Sequence, residues 1–240
     1  MRVFYHQAEG GNVGDDINAV LWERLLPEFR ALNTAQWLVG IGTILDERVN
    51  TLAGRRIIMG SGLRPARSLP QFSGDLRFAA VRGTLTAERL ALGDDVALGD
   101  PGFLIGRIYS PPQSHMRERN GPVALVPHVY SERWSKISDT ARDAGLEVIS
   151  PTLPWNEFLD ALSRCSRVYC ESLHAAIFAE TLRIPWARVR MCSHYYEGEG
   201  VADFKWRDAF SIVGVDRTSV IRNALIPVRR TWMRPAQAIA

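Results

Sequence analysis

The chain reads as an α/β protein of two Rossmann-like lobes facing a cleft, and three observations carry that reading. Short apolar, often β-branched runs alternate with helix-length amphipathic segments, the pattern of successive βαβ units and a mainly parallel sheet. The rhythm restarts after residues 111–122, a stretch rich in proline, glycine and charge of the kind that links domains. Open α/β sheets bind ligands beyond the carboxyl ends of their strands, so two such lobes would share a cleft lined by residues that follow strands.

In the first lobe, residues 1–110, strands are predicted near 2–6, 37–41, 56–60, 77–82 and 96–98, each an apolar run bounded by turn-forming residues. In the second, residues 123–240, the order is strand 123–126, helix 131–144, strand 146–149, helix 155–164, strand 167–170, helix 173–183 and strand 186–190. Leu173, Ala176, Ile177 and Leu182 would give the helix at 173–183 its apolar face and leave His174 on the cleft side.

Composition narrows the setting. With 46% hydrophobic and 23% charged residues the chain is ordinary for a globular protein, and no apolar run approaches the roughly 18 residues of a membrane helix. Met1 to His6 lead directly into a polar glycine-rich loop without the apolar core of a secretory signal, so a cytoplasmic location is expected. Cys165, Cys170 and Cys192 are odd in number and lack paired metal-type spacing, which argues for reduced structural thiols and against a disulfide framework or a metal site. A net charge of +3 spread over scattered arginines gives no reason to expect a nucleic-acid partner. Residues 228–234 mix cations with apolar groups, which suits either peripheral contact with anionic lipid or protein, or a packed or frayed chain end.

The residues just after strands hold the chemistry. Glu9 to Asp16, with Asn12, Gly14 and Asp15, follows the first strand and opens a helix through Ile17, Leu21 and Leu25. Its glycines would admit an anion or a sugar, and Asp15 is placed to cap the helix; a plain tight turn fits equally. Gly40-Ile41-Gly42 and Gly60-Ser61-Gly62 follow two further strands, leaving room for a ligand or for close packing. Arg82 ends the fourth strand, where it could grip a carboxylate or phosphate or sit in a salt bridge, and Thr84 is placed to cap the helix behind it. Asp100 ends the fifth, either binding a hydroxyl or capping its turn.

In the second lobe His128 ends the first strand, and Ser172, a helix-capping residue type, precedes His174 in the first turn of a helix. A helix N-terminus disfavours imidazolium and attracts anions, so His174 is expected to take a proton when an anion binds beside it and to act as a general acid assembled by its substrate. Lys205 is either a second cation for that anion or a solvated charge on a helix.

Taken in order, Gly11-Asn12-Val13-Gly14-Asp15-Asp16, Gly40-Ile41-Gly42, Val81-Arg82-Gly83, Gly99-Asp100-Pro101 and Ser172-Leu173-His174-Ala175-Ala176 resemble the polysaccharide pyruvyl transferase family over roughly residues 3–190, most closely its short exopolysaccharide members of the succinoglycan type. The resemblance implies a GT-B-like fold and transfer of pyruvate from phosphoenolpyruvate onto two hydroxyls of a sugar, forming a ketal, with phosphoenolpyruvate as donor substrate and no other cofactor. It implies a sugar acceptor, expected as a lipid-linked oligosaccharide, taken by the first lobe, with the donor on the second. It also matches His174 to the family's catalytic histidine and Arg82 to a donor-binding arginine. Two positions depart from the family pattern: Gly83 stands where an aspartate is usual and Ala175 where a glycine is usual. A GT-B nucleotide-sugar glycosyltransferase and a non-catalytic sugar-binding protein are the alternatives.

Overall fold

In the computed structural model the described residues are 1–32, 34–65, 68–114, 120–133, 135–191, 197–213 and 220–222. The tail at 228–234 and Cys192 therefore lie outside them.

The first sheet holds β1 (Arg2–Phe4), β2 (Gln36–Val39), β3 (Arg55–Ser61), β4 (Leu76–Val81) and β5 (Ala97–Leu98). All its pairings are parallel, in the spatial order β1-β2-β3-β4-β5. The second holds β6 (Val123–Val126), β7 (Glu147–Val148), β8 (Arg167–Cys170), β9 (Trp186–Arg190) and β10 (Val220–Arg222), again all parallel, ordered β10-β9-β8-β6-β7. Every strand read from the sequence is present, shifted by a few residues at most, and β10 is additional. The second sheet steps outward from β6 to β7, then returns to place β8 on the other side of β6. That reversal is a topological switch point, which opens a crevice at the carboxyl ends of β6 and β8.

Among the described residues the α-helices that connect and flank the strands are α1 (Val13–Asp16), α2 (Asn18–Leu25), α3 (Thr84–Arg89), α4 (Val129–Glu132), α5 (Ser135–Asp143), α6 (Trp155–Ser163), α7 (Leu173–Thr181) and α8 (Glu199–Phe210). The helix expected to run unbroken from the first loop through Leu25 is split at Ile17. There the buried Asn18 donates to the carbonyls of Asp15 at 2.8 Å and Ile41 at 3.1 Å, and accepts from the Ile41 amide at 2.8 Å. Its amide competes for helical backbone groups and pins α2 to the end of β2. The helix expected at 131–144 is likewise two, α4 and α5.

Helix α7 departs from expectation in its packing. Leu173 and Ala175 to Ala179 are all buried, so it lies in the core on nearly every side, and Leu182 falls beyond its end. Full burial of a side chain such as Phe178 or Ile177 contributes about 1.5–3 kcal/mol, so α7 is anchored by burial all round rather than by one face.

The core is continuous between the halves: Val13, Ile17, Leu21 and Ile41 pack in one cluster with Phe158, Ile177, Phe178 and Trp206. The 3-10 helix Pro101–Arg107 lies against α7, and α8 returns from the second half to pack on α3. Cys165 and Cys170 are buried free thiols, Cys165 pushed up to about 12 by burial and the nearby Glu147. Among the described residues no helix is long and apolar enough to cross a membrane.

Candidate active site

A cleft of about 440 Å³ lies where strand ends of the two sheets converge. Of the residues singled out from the sequence, Asn12, Asp15, His128, Ser172, His174 and Lys205 line it. Gly14, Arg82 and Asp100 sit behind its walls.

The first wall is built on α1. Asn12, not Asp15, is its cap: the Asn12 Oδ1 accepts from the Gly14 amide at 3.3 Å, and the Asn12 amide donates to Asp16 Oδ2 at 2.7 Å. Asp15 falls inside the helix, where its Oδ2 accepts from Asn12 Nδ2 at 2.9 Å. Burial raises the Asp15 carboxyl above its ordinary range, against the downward pull of His174, His6 and Lys205. The Val13 amide donates to the Pro151 carbonyl at 2.8 Å, tying this loop to the second half.

The opposite wall is built at the switch point. Ser172 occupies the N-cap of α7 in extended conformation, but its side chain makes no capping bond. His174 follows in the first turn, its ring laid on Gly14. A β-carbon at Gly14 would lie 2.1 Å from His174 Nδ1, so any residue with a side chain would displace the ring. On the other side, Asp100 Oδ2 lies 3.7 Å from His174 Nε2. Asp100 also does what one of its two readings expected, its Oδ1 accepting from the Gly102 amide at 2.8 Å to cap the helix there.

His128 caps α4, its Nδ1 accepting from the Tyr130 amide at 3.3 Å. That leaves the ring proton on Nε2, which faces Glu197 Oε1 at 3.5 Å. Lys205 on α8 donates to both Glu197 oxygens, at 2.5 and 2.6 Å. Burial would raise the Glu197 carboxyl, but Lys205 and His128 overcome it and hold it well below the usual carboxylate range. Lys205 is thus a buried, paired cation and not a solvated one.

Two glutamates escaped the sequence reading. Glu197 is one. Glu171, directly after β8, accepts from the His128 amide and the Met191 amide, both at 3.0 Å, so one buried carboxylate fastens the ends of β6, β8 and β9 together. A carboxylate closing a buried apolar strand was the signal for it.

Arg82 is 1% exposed. Its Nε donates to Asp208 Oδ2 at 2.9 Å and its Nη1 to Thr43 Oγ1 at 2.7 Å, and Thr43 lines the cleft. Asp208, on α8, also accepts from the Thr86 amide at 2.8 Å and the Thr86 hydroxyl at 2.6 Å. Thr84 is therefore not the cap of α3; Gly83 holds that position without a side chain, and Asp208 supplies the missing acceptor from another helix.

The family model for polysaccharide pyruvyl transferase matches residues 33–191. The succinoglycan biosynthesis protein ExoV of Rhizobium meliloti (strain 1021) is 30% identical over 99% of this chain and 75% of its own length. The chain belongs to the polysaccharide pyruvyl transferase family. No solved structure matches it.

Of the two departures from the pattern of pyruvyl transferases, Gly83 has a structural consequence. A β-carbon at Gly83 would lie 1.8 Å from the Asp208 carbonyl oxygen, so glycine lets α8 close on α3, where the Asp208 carboxylate holds Arg82. Ala175 is fully buried on α7 and lies outside the cleft lining.

Proposed function

We propose that this cleft moves the pyruvyl group of phosphoenolpyruvate onto two hydroxyls of one sugar in a bacterial exopolysaccharide, or in its lipid-linked precursor, closing a cyclic ketal. The observation that carries the proposal is His174, held in the first turn of a buried helix at the switch point and opposite the buried carboxyl of Asp15. Membership of the pyruvyl transferase family and similarity to the succinoglycan biosynthesis protein ExoV support it.

In the reaction a proton adds to the methylene carbon of phosphoenolpyruvate and makes the adjacent carbon oxocarbenium-like. One sugar hydroxyl attacks that carbon, phosphate leaves, and the second hydroxyl closes the ring. Of the two hydroxyl protons lost, one ends in the new methyl group and the other on inorganic phosphate. His174 supplies or relays the first proton. Lys205 and Arg82, whose Nη2 is buried without a partner, answer the donor's carboxylate and phosphate; Lys205 exchanges Glu197 for the donor as it does so. Amides of the first turn of α7 after Ser172 add fixed dipoles, and His128 lies beside them. Asn12 and Asp15 orient the sugar hydroxyls or take their protons.

The same reading assigns residues 1–110 to the acceptor and residues 123–240 to the donor, across a GT-B-like cleft, with 111–122 as the link. It assigns the protein to the cytoplasm, with the basic tail touching the membrane face. Phosphate release is the test. Incubation with phosphoenolpyruvate and a lipid-linked or free oligosaccharide acceptor is expected to release phosphate, and a panel of nucleotide sugars to release no nucleotide. Turnover of a nucleotide sugar, or of neither donor class, overturns the proposal.

A further inference from the structure

We infer that Asp100 is a positioning residue for His174, fixing the orientation of the ring and which of its nitrogens carries the proton. The inference rests on the proposed role of His174 and deepens it. Asp100 Oδ2 and His174 Nε2 are both buried, neither has a hydrogen-bond partner, and they face each other at 3.7 Å. Leaving a buried polar atom unpaired is unfavourable, and here two such atoms of complementary type are opposed. The separation exceeds a hydrogen bond, and catalytic bonds of this kind often reach full strength only in the complex with substrate.

The surroundings make the pair directional. The Cβ–Cγ–Nδ1 edge of the ring lies on Gly14, so the imidazole is held between that backbone and the Asp100 carboxylate. Asp100 is itself fixed, because its Oδ1 caps the 3-10 helix Pro101–Arg107, which packs on the helix that bears His174. A carboxylate facing Nε2 selects the tautomer with its proton there, which leaves the lone pair of the ring on Nδ1. Asp100 is 2% exposed and its oxygens are directed at the Gly102 amide and the His174 ring, so it holds the ring and not a sugar hydroxyl.

Asp100→Asn separates the two jobs of this side chain. Its remaining oxygen keeps the cap on Gly102, while an amide NH₂ replaces Oδ2 and can only donate toward Nε2. Two-bond ¹⁵N–¹H correlation of the neutral His174 ring is expected to show Nε2–H in the parent enzyme and Nδ1–H in the variant. Steady-state assays are expected to show kcat falling about 100-fold or more, with KM for phosphoenolpyruvate and acceptor within about two-fold. A parent ring protonated on Nδ1, a tautomer unmoved by the substitution, or a raised KM with kcat intact would each overturn the inference. The parent tautomer alone decides the matter if the variant does not fold. Because that measurement needs no turnover, a protein with the expected tautomers but no transfer from phosphoenolpyruvate would refute the pyruvyl reading and leave the positioning in place.

Discussion

Arg82 and Asp208 stand 126 positions apart in sequence and form a 2.9 Å ion pair with side chains 1% and 0% exposed. The pair joins the end of β4 to α8, and α8 also carries Lys205, three residues before Asp208, into the cleft. Removing one partner of a buried pair leaves the other charge uncompensated, at a cost of about 3–5 kcal/mol. Asp208→Ala is therefore expected to lower unfolding stability by that amount in denaturant titration. Asp139→Ala, which breaks the exposed pair with Arg142, should change it by about 1 kcal/mol at most. Equal effects from the two substitutions would remove the buried pair from the account.

Gly14→Ala places a methyl group where the His174 ring lies. Displacing a reacting group by about 1 Å can cost about 100-fold in rate, and a loss of that order is expected in kcat with the circular dichroism spectrum unchanged. Normal turnover by this variant would mean that the position of the ring does not matter.

The raised Asp15 carboxyl implies a pH-dependent cost. A carboxyl whose pKa is raised in the folded state binds its proton more tightly there than when unfolded, so stability falls as pH rises from the ordinary value of 3.8 through the raised folded value, and the full cost is present above it. Asp15→Asn removes that cost. Its Tm should equal that of the parent near about pH 3 and exceed it near about pH 7, while transfer activity falls. A Tm advantage that is largest in acid would contradict the assignment.

Lys205→Met removes the cation proposed for the donor. A charge-assisted hydrogen bond is worth about 1.5–3 kcal/mol, so KM for phosphoenolpyruvate should rise roughly 10- to 100-fold. An unchanged KM would leave Lys205 as a structural partner of Glu197 only.

How much of this was legible in the chain depended on whether the signal was local. The strands read from the sequence were, because each centres on a short apolar stretch that recurs at the spacing of βαβ units. Helix α8 and β10 were not: α8 carries Lys205, Arg207 and Asp208 in 12 residues, which reads as a solvated segment until Glu197 and Arg82 are seen to neutralise its buried charges. Helix α7 was placed correctly but given one apolar face, since small alanines conceal that it is surrounded.

The same division holds at the site. His174, Ser172, His128, Asn12 and Asp15 each follow a strand, and strand ends converge by topology. Arg82 also follows a strand, yet its partner lies on a distant helix, so the choice between ligand contact and salt bridge could not be made from position. Glu171 and Asp208 act through bonds spanning 43 and 126 residues respectively, and no local spacing reports those. Gly83 stands where an aspartate is usual, and only the packing of α8 reveals Asp208 as the carboxylate that holds Arg82.

On the proposed reading His174 supports protonation of phosphoenolpyruvate during transfer to a sugar. Running the reaction in D₂O with acceptor and examining the product by mass spectrometry and NMR tests it directly. The parent enzyme is expected to give a pyruvate ketal whose methyl group carries one deuterium per transfer, and His174→Ala to form it more than about 100-fold more slowly. Transfer by His174→Ala at close to the parent rate, or a parent enzyme that forms no ketal from phosphoenolpyruvate, would contradict it.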